Sequence, residues 1–132
     1  MKRSTFIKSL ILGGAGAAYV GNNYHEFLKE YPKVYHNYVR GLQYYKYKSV
    51  AKHLREGGRL FLKREPKNRY DKCAIGVYYN SMKLGYLPRD ENKVLANLMD
   101  LGKPAYARIK KLNSNEDELY KAVFVEVFAD VG

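Results

Sequence analysis

The C-terminal two-thirds of the chain alternates short apolar runs with polar breaks, and the spacing inside each run predicts an element. Residues 59–65 alternate around Leu60 and Leu62 after the turn signal Gly57-Gly58, the pattern of a strand with one face buried. Residues 74–79 are β-branched and aromatic and read as the next strand. Asn80-Ser81 then turns into a short partner at 83–87. The period changes after Pro88, which stands at a plausible helix start with Asp90 and Glu91 in a first turn that favours acids. Val94, Leu95, Leu98 and Met99 form one apolar stripe suited to core packing, and Gly102 and Pro104 punctuate the end. Residues 105–112 and 120–128 read as the last strands, joined by a polar, acidic loop at 113–118.

Upstream, residues 38–45 read as the first strand, and the polar, Tyr-rich stretch 22–37 as a linker. Phe27, Leu28 and Tyr31 space a short helix there that Pro32 ends. The expected architecture is mostly β: about six strands and one or two helices in a small Greek-key-like barrel at 38–128, with a tail at 129–132. Residues 1–21 are basic, then apolar, then small. Lys2, Arg3 and Lys8 precede a run holding Leu10, Ile11 and Leu12, which closes on Ala15-Gly16-Ala17, a small-x-small cleavage pattern. Arg3-Ser4-Thr5-Phe6-Ile7-Lys8 resembles a twin-arginine export signal with Ser4 in place of the second arginine. The other reading is an N-terminal helix packing Phe6, Ile7, Leu10 and Ile11 on the domain, weakened by Gly13, Gly14 and Gly16. Localisation follows the leader: exported or membrane-anchored if it is a signal, cytoplasmic if the chain serves DNA.

Charge sharpens the picture. The formal net charge of +11 is concentrated: residues 33–89 carry fourteen Lys/Arg against three acids, whereas residues 90–132 carry six against eight. Nine of the fourteen tyrosines share the basic stretch. Cations with interleaved flat rings suit a single-stranded nucleic acid, whose phosphates need charge and whose unpaired bases need stacking partners. A solvated basic surface with tyrosines packed as ordinary strand residues is the alternative from composition. One cysteine, Cys73, excludes an internal disulfide and a cysteine-rich zinc site, and its plain reading is a small buried residue in a strand. No metal or cofactor is expected. Neither G-x-S-x-G, H-E-x-x-H nor G-x-x-x-x-G-K-[ST] occurs, which argues against hydrolase and ATPase chemistry.

Three blocks at 38–128 resemble the HIRAN domain family. They are Val39-Arg40-Gly41-Leu42-Gln43-Tyr44-Tyr45; Leu62-Lys63-Arg64-Glu65-Pro66-Lys67-Asn68-Arg69-Tyr70-Asp71-Lys72-Cys73-Ala74-Ile75-Gly76-Val77-Tyr78; and Lys83-Leu84-Gly85-Tyr86-Leu87-Pro88-Arg89, followed by a helix with Leu95, Leu98 and Gly102. The resemblance implies an OB-like barrel, found alone or fused to helicases, that holds the 3′ end of single-stranded DNA. Any hydrolase activity would then belong to fused helicase domains. Carried across, an aromatic of the first block (Tyr44, with Tyr45 beside it) stacks on terminal bases and the Tyr70-Asp71 pair engages the last nucleotide. Tyr86 and Arg89 complete the pocket. Gln43 and Tyr86 depart from a helicase-fused relative, which has arginine and histidine there.

The chemistry of these positions also stands without the resemblance. Arg40, Lys46, Arg64, Lys67, Arg69, Lys72 and Arg89 are candidate phosphate contacts. Asp71 is the informative residue: a carboxylate repels phosphate, so among cations it suits a hydroxyl or base donor, and a terminal 3′-OH is one. Its other reading is loop closure together with Asn68. The expected partner is a single-stranded DNA end bound by a monomer. The rival is an anionic membrane or cell-envelope polymer meeting the same basic, Tyr-rich face.

Overall fold

The structure is a computed structural model, and its description covers residues 30–113 and 116–132. The leader and the helix expected around Phe27 and Leu28 lie outside the described residues. The unit from Tyr31 to Gly132 is built on six antiparallel strands: β1 (Lys33–Tyr38), β2 (Arg59–Arg64), β3 (Ile75–Tyr79), β4 (Met82–Tyr86), β5 (Ala105–Leu112) and β6 (Val123–Ala129). They form one sheet in the order β1-β6-β5-β2-β3-β4. Two helices accompany it, α1 (Tyr47–Val50) and α2 (Lys93–Asp100).

Alternation along β6 shows which side of the sheet is the interior. In β6, Val123, Val125, Val127 and Ala129 are buried while Phe124, Glu126 and Phe128 lie between them on the outer face. Ala107 and Ile109 of β5, Leu60 of β2 and Ile75 and Val77 of β3 point into the same interior. Bulges interrupt the β1–β6, β3–β4 and β5–β6 pairings and bend the sheet. The chain leaving β1 then joins the sheet's two ends. Val39 N–H donates to Val123 O of β6, and Arg40 and Tyr86 of β4 exchange both backbone hydrogen bonds at 2.8 and 2.9 Å. The sheet thereby closes into a barrel-like form, and Gly85 lies at the closure. A Cβ there would stand 2.1 Å from Arg40 O, so a side chain cannot fit without moving the seam.

The first strand corrects the sequence reading. It runs from Lys33 to Tyr38, inside the expected linker, and the expected strand at 38–45 does not form. Gly41 takes a left-handed φ of 78° that ends extended pairing, and Leu42–Tyr44 coils into a 3-10 turn. Leu42, Val50 and Leu54 anchor this helical segment in the core. Truncating Leu42 would cost about 2–5 kcal/mol by the usual cavity cost.

The helix at 93–100 also differs in detail. Val94 is 74% exposed, and Asn92, Leu95, Ala96 and Met99 face inward instead. Positions 92, 96 and 99 are four and three residues apart and share a face with 95, from which 94 is turned away. Gly102, with φ of 88°, closes the helix by giving its N–H to Met99 O while Lys103 N–H reaches Leu98 O. Cys73 is half-buried in the loop before β3 rather than within a strand.

Candidate nucleic-acid interface

A groove of about 650 Å³ opens where the β1–β4 seam meets the β2–β3 loop and the start of the α2 region. Arg40, Gly41, Tyr44 and Tyr45 form one wall, Asn68, Arg69, Tyr70, Asp71 and Ala74 another, and Tyr86, Leu87, Pro88, Arg89 and Asp90 line the rest. Eight expected site residues therefore meet there: Arg40, Tyr44, Tyr45, Arg69, Tyr70, Asp71, Tyr86 and Arg89. Segments far apart in sequence converge because the seam at Arg40–Tyr86 holds the first block against the third.

Two tyrosine rings stand open at the groove: Tyr44 is 76% exposed and Tyr70 73%. Tyr70 has the Arg69 guanidinium 5.6 Å from its ring centre. Tyr86 is held quite differently. Its hydroxyl donates to Glu65 Oε1 at 2.7 Å and accepts from Lys83 Nζ and, at 3.3 Å, from Asn68 Nδ2. With its one proton and both lone pairs engaged, the phenol offers a ligand its ring rather than its hydroxyl. The Lys83 ammonium lies 4.1 Å from the Tyr86 ring centre and 4.8 Å from that of Tyr45, and the two rings meet edge to face.

Asn68 joins this floor to the loop. Its amide donates to Glu65 and Tyr86, and its Oδ1 accepts from the N–H groups of Tyr70 at 2.8 Å and Asp71 at 3.0 Å. Asp71 then closes the loop: Oδ1 takes the Cys73 N–H and Oδ2 takes an N–H of buried Asn92. Each carboxylate oxygen accepts one protein hydrogen bond and keeps a second lone-pair site. The loop-closing role is therefore real, and it leaves room for a further donor.

The electrostatics follow from the packing. Burial pushes the Glu65 carboxyl up, but hydrogen bonds from Lys83, Tyr86 and Asn68 and the Lys83 charge outweigh it, and the group is held below the usual carboxylate range. Burial pulls the Lys83 ammonium down, and the same Glu65 and Tyr86 partners raise it to a net increase. The Tyr86 phenol is pushed up to about 12, first by burial and then by donating to Glu65, against the opposing pull of Lys83. A second anchor holds the turn Arg89–Glu91: Glu91 Oε1 accepts from the Tyr35 hydroxyl and from Asn37 Nδ2, which lowers its carboxyl and ties the turn to β1.

The remaining expected contacts lie elsewhere. Arg64 reaches Asp100 through Nε and Nη2, and the Ala74 and Lys72 carbonyls through its other N–H groups, so it clamps the loop to the end of α2. Lys46, Lys67 and Lys72 do not line the groove. Sequence reasoning missed Asn68 as a groove residue in its own right, Asp90, and the Glu65–Lys83 pair beneath. Asn68 had a visible signal in the Asn-x-x-Asp spacing; Lys83 had none, because its role depends on the fold. Among the described residues no group of three or more His, Cys, Asp or Glu could hold a metal ion, and no helix is long and apolar enough to cross a membrane.

Comparison with known proteins identifies the family and the fold. The HIRAN domain family model matches residues 33–128, which begins with β1. A crystal structure of a Lactobacillus plantarum protein is similar at 29% identity and a TM-score of 0.65, covering 74% of this chain and 92% of that one. The HIRAN domain of human HLTF is similar in fold at 23% identity and a TM-score of 0.55, covering 72% and 74%. No curated protein matches in sequence. HIRAN is a nucleic-acid-binding fold and a binding domain, and with its family model spanning most of the sequence this chain belongs to the HIRAN domain family.

Proposed function

We propose that the groove binds the 3′ end of single-stranded DNA as a monomeric, non-catalytic module. The observation that carries this reading is the pair of open rings, Tyr44 and Tyr70, placed with a carboxylate that has acceptor capacity to spare in a groove bordered by Arg40, Arg69 and Arg89. The rings stack on the terminal bases, each stack contributing about 1–3 kcal/mol. The arginines meet the last phosphates, and Asp71 accepts a hydrogen bond from the terminal hydroxyl. Tyr86 contributes a fixed ring under the base.

Stacking needs unpaired bases, so a frayed or single-stranded end binds and a blunt duplex does not. Fluorescence anisotropy with matched single-stranded and blunt duplex oligonucleotides at moderate salt tests the reading. Preferential binding of the single strand is expected, and equal affinity for both would refute it.

A further inference from the structure

The segment beyond the groove's Tyr44–Tyr45 wall carries a charge pattern that the groove leaves unused. From Tyr45 the chain passes through Lys46 into α1 and the 3-10 turn Ala51–His53. Val50 and Leu54 are buried and Tyr47 packs against the core, so positions three and four residues apart spend one helical face inward. Lys46, Lys48, Lys52 and His53 are then left exposed. The nearby acid Glu56 has an oxygen engaged by the Leu112 N–H.

Several other lysines of the described residues have carboxylate partners: Lys33 and Lys110 share Glu126, Lys83 has Glu65, and Lys121 has Glu118. Among the described residues Lys46, Lys48 and Lys52 make no ion pair. Lys48 and Lys52 stand four apart, where like charges oppose helix formation, so their placement does not serve the helix. The face is also fixed relative to the groove. Lys46 N–H donates to Lys83 O, and the Lys83 ammonium lies against the Tyr45 and Tyr86 rings.

We infer that this face is the track for the phosphates lying 5′ of the terminal nucleotide, taking the strand as it leaves the groove past Tyr44 and Tyr45. The inference rests on the reading that the groove accepts a strand end. The helical stretch from Lys46 to His53 extends about 10–12 Å, enough for two or three successive phosphates. Three unpaired cations there add to the phosphate contacts of the groove arginines, while the groove alone supplies recognition of the end.

The test is a length series of 5′-labelled oligothymidylates of two, four and eight nucleotides with free 3′-hydroxyls, titrated into the full chain. Affinity should rise on the order of tenfold from two to eight nucleotides. Lys48→Ala/Lys52→Ala should remove most of that rise, leave dinucleotide binding unchanged, and lower the salt slope for the eight-mer by about 1.4. Lys48→Arg/Lys52→Arg should retain the rise, which separates charge from folding effects, and Lys110→Ala/Lys111→Ala serves as the charge-matched control. An unchanged rise in the alanine pair, an equal loss in the control, or no rise in the wild type overturns the track. So does equally tight binding of blunt duplex, or of vesicles containing anionic lipid, that is lost in Lys48→Ala/Lys52→Ala. A dinucleotide ending in a 3′-phosphate, titrated in parallel, separates the two readings: if it binds as tightly as the 3′-hydroxyl form while the length dependence persists, hydroxyl recognition in the groove is rejected and the track stands.

Discussion

The rim and the floor of the groove are built from the same residue type and held by opposite means. At the rim, Tyr44 and Tyr70 leave about three-quarters of their surface open. On the floor, Tyr86 is locked by Glu65, Lys83 and Asn68, and its strand is bonded to Arg40 across the barrel seam. The rim rings contribute little burial to folding, so they are free to be spent on a ligand. The floor contributes to folding and sets where the rim residues stand, chiefly through the bonds from Asn68 to Tyr70 and Asp71. Floor substitutions should therefore change stability and binding together, and rim substitutions binding alone.

The largest effect expected is at the seam. Gly85→Ala forces a methyl against Arg40 O and should destabilise by ~3 kcal/mol, with loss of oligonucleotide binding. Chemical denaturation checks it; wild-type stability would mean that the seam yields easily and the floor is not rigid. Next comes Glu65→Gln, which removes the charged acceptor shared by Lys83 and Tyr86 and should cost about 2 kcal/mol.

Its pH dependence sharpens the point. The folded Glu65 carboxyl lies below its unfolded value, so its contribution is present above pH ~4.3 and is lost as pH falls through the folded value. Lys83 and Tyr86 are raised, so their contributions are present below pH ~10 and are lost as pH rises, for Tyr86 through about 12. Thermal midpoints should thus form a plateau between these limits. Glu65→Gln should flatten the acid edge, and an unchanged acid edge would show that the network contributes nothing to it.

At the rim, Tyr70→Ala and Tyr44→Ala should each weaken single-strand binding by ~1–3 kcal/mol while leaving the unfolding free energy within ~0.5 kcal/mol of wild type. A matching loss of stability would erase the distinction between rim and floor. The smallest effect belongs to Arg89→Ala, which should lower the salt slope of binding by about 0.7, the share of one phosphate contact.

Alternation made β2 and β6 legible in the sequence, and β5 up to the bulge after Ile109, since there one face is buried and the period of two holds. The first strand was misplaced for a physical reason. Val39-Arg40-Gly41-Leu42-Gln43-Tyr44-Tyr45 carries apolar and aromatic residues suited to a strand, yet Gly41 turns left-handed and the barrel needs the seam at Arg40. The strand at 33–38 is hidden because, Val34 apart, its residues are polar or aromatic and mostly sit near the surface. For the groove, the basic and aromatic positions could be read from charge and spacing. Which cations face it could not. Arg64 and Arg69 look alike in sequence, and only the approach of Asp100 from α2 separates the clamp from the groove arginine.

In the proposed function Asp71, already bonded to Cys73 and Asn92, presents its remaining acceptor capacity to a terminal hydroxyl. The most direct measurement compares two oligonucleotides identical but for a 3′-hydroxyl or a 3′-phosphate, against wild type and Asp71→Ala. Against the hydroxyl the carboxylate gains a charge-assisted hydrogen bond of about 1.5–3 kcal/mol, and against the phosphate it meets like charge. Wild type should prefer the hydroxyl end by at least tenfold. Asp71→Ala should weaken hydroxyl binding and shrink the preference, whereas Tyr70→Ala should weaken both ends alike. Equal wild-type affinity for the two ends would contradict the account and leave Asp71 as a residue that only closes its loop.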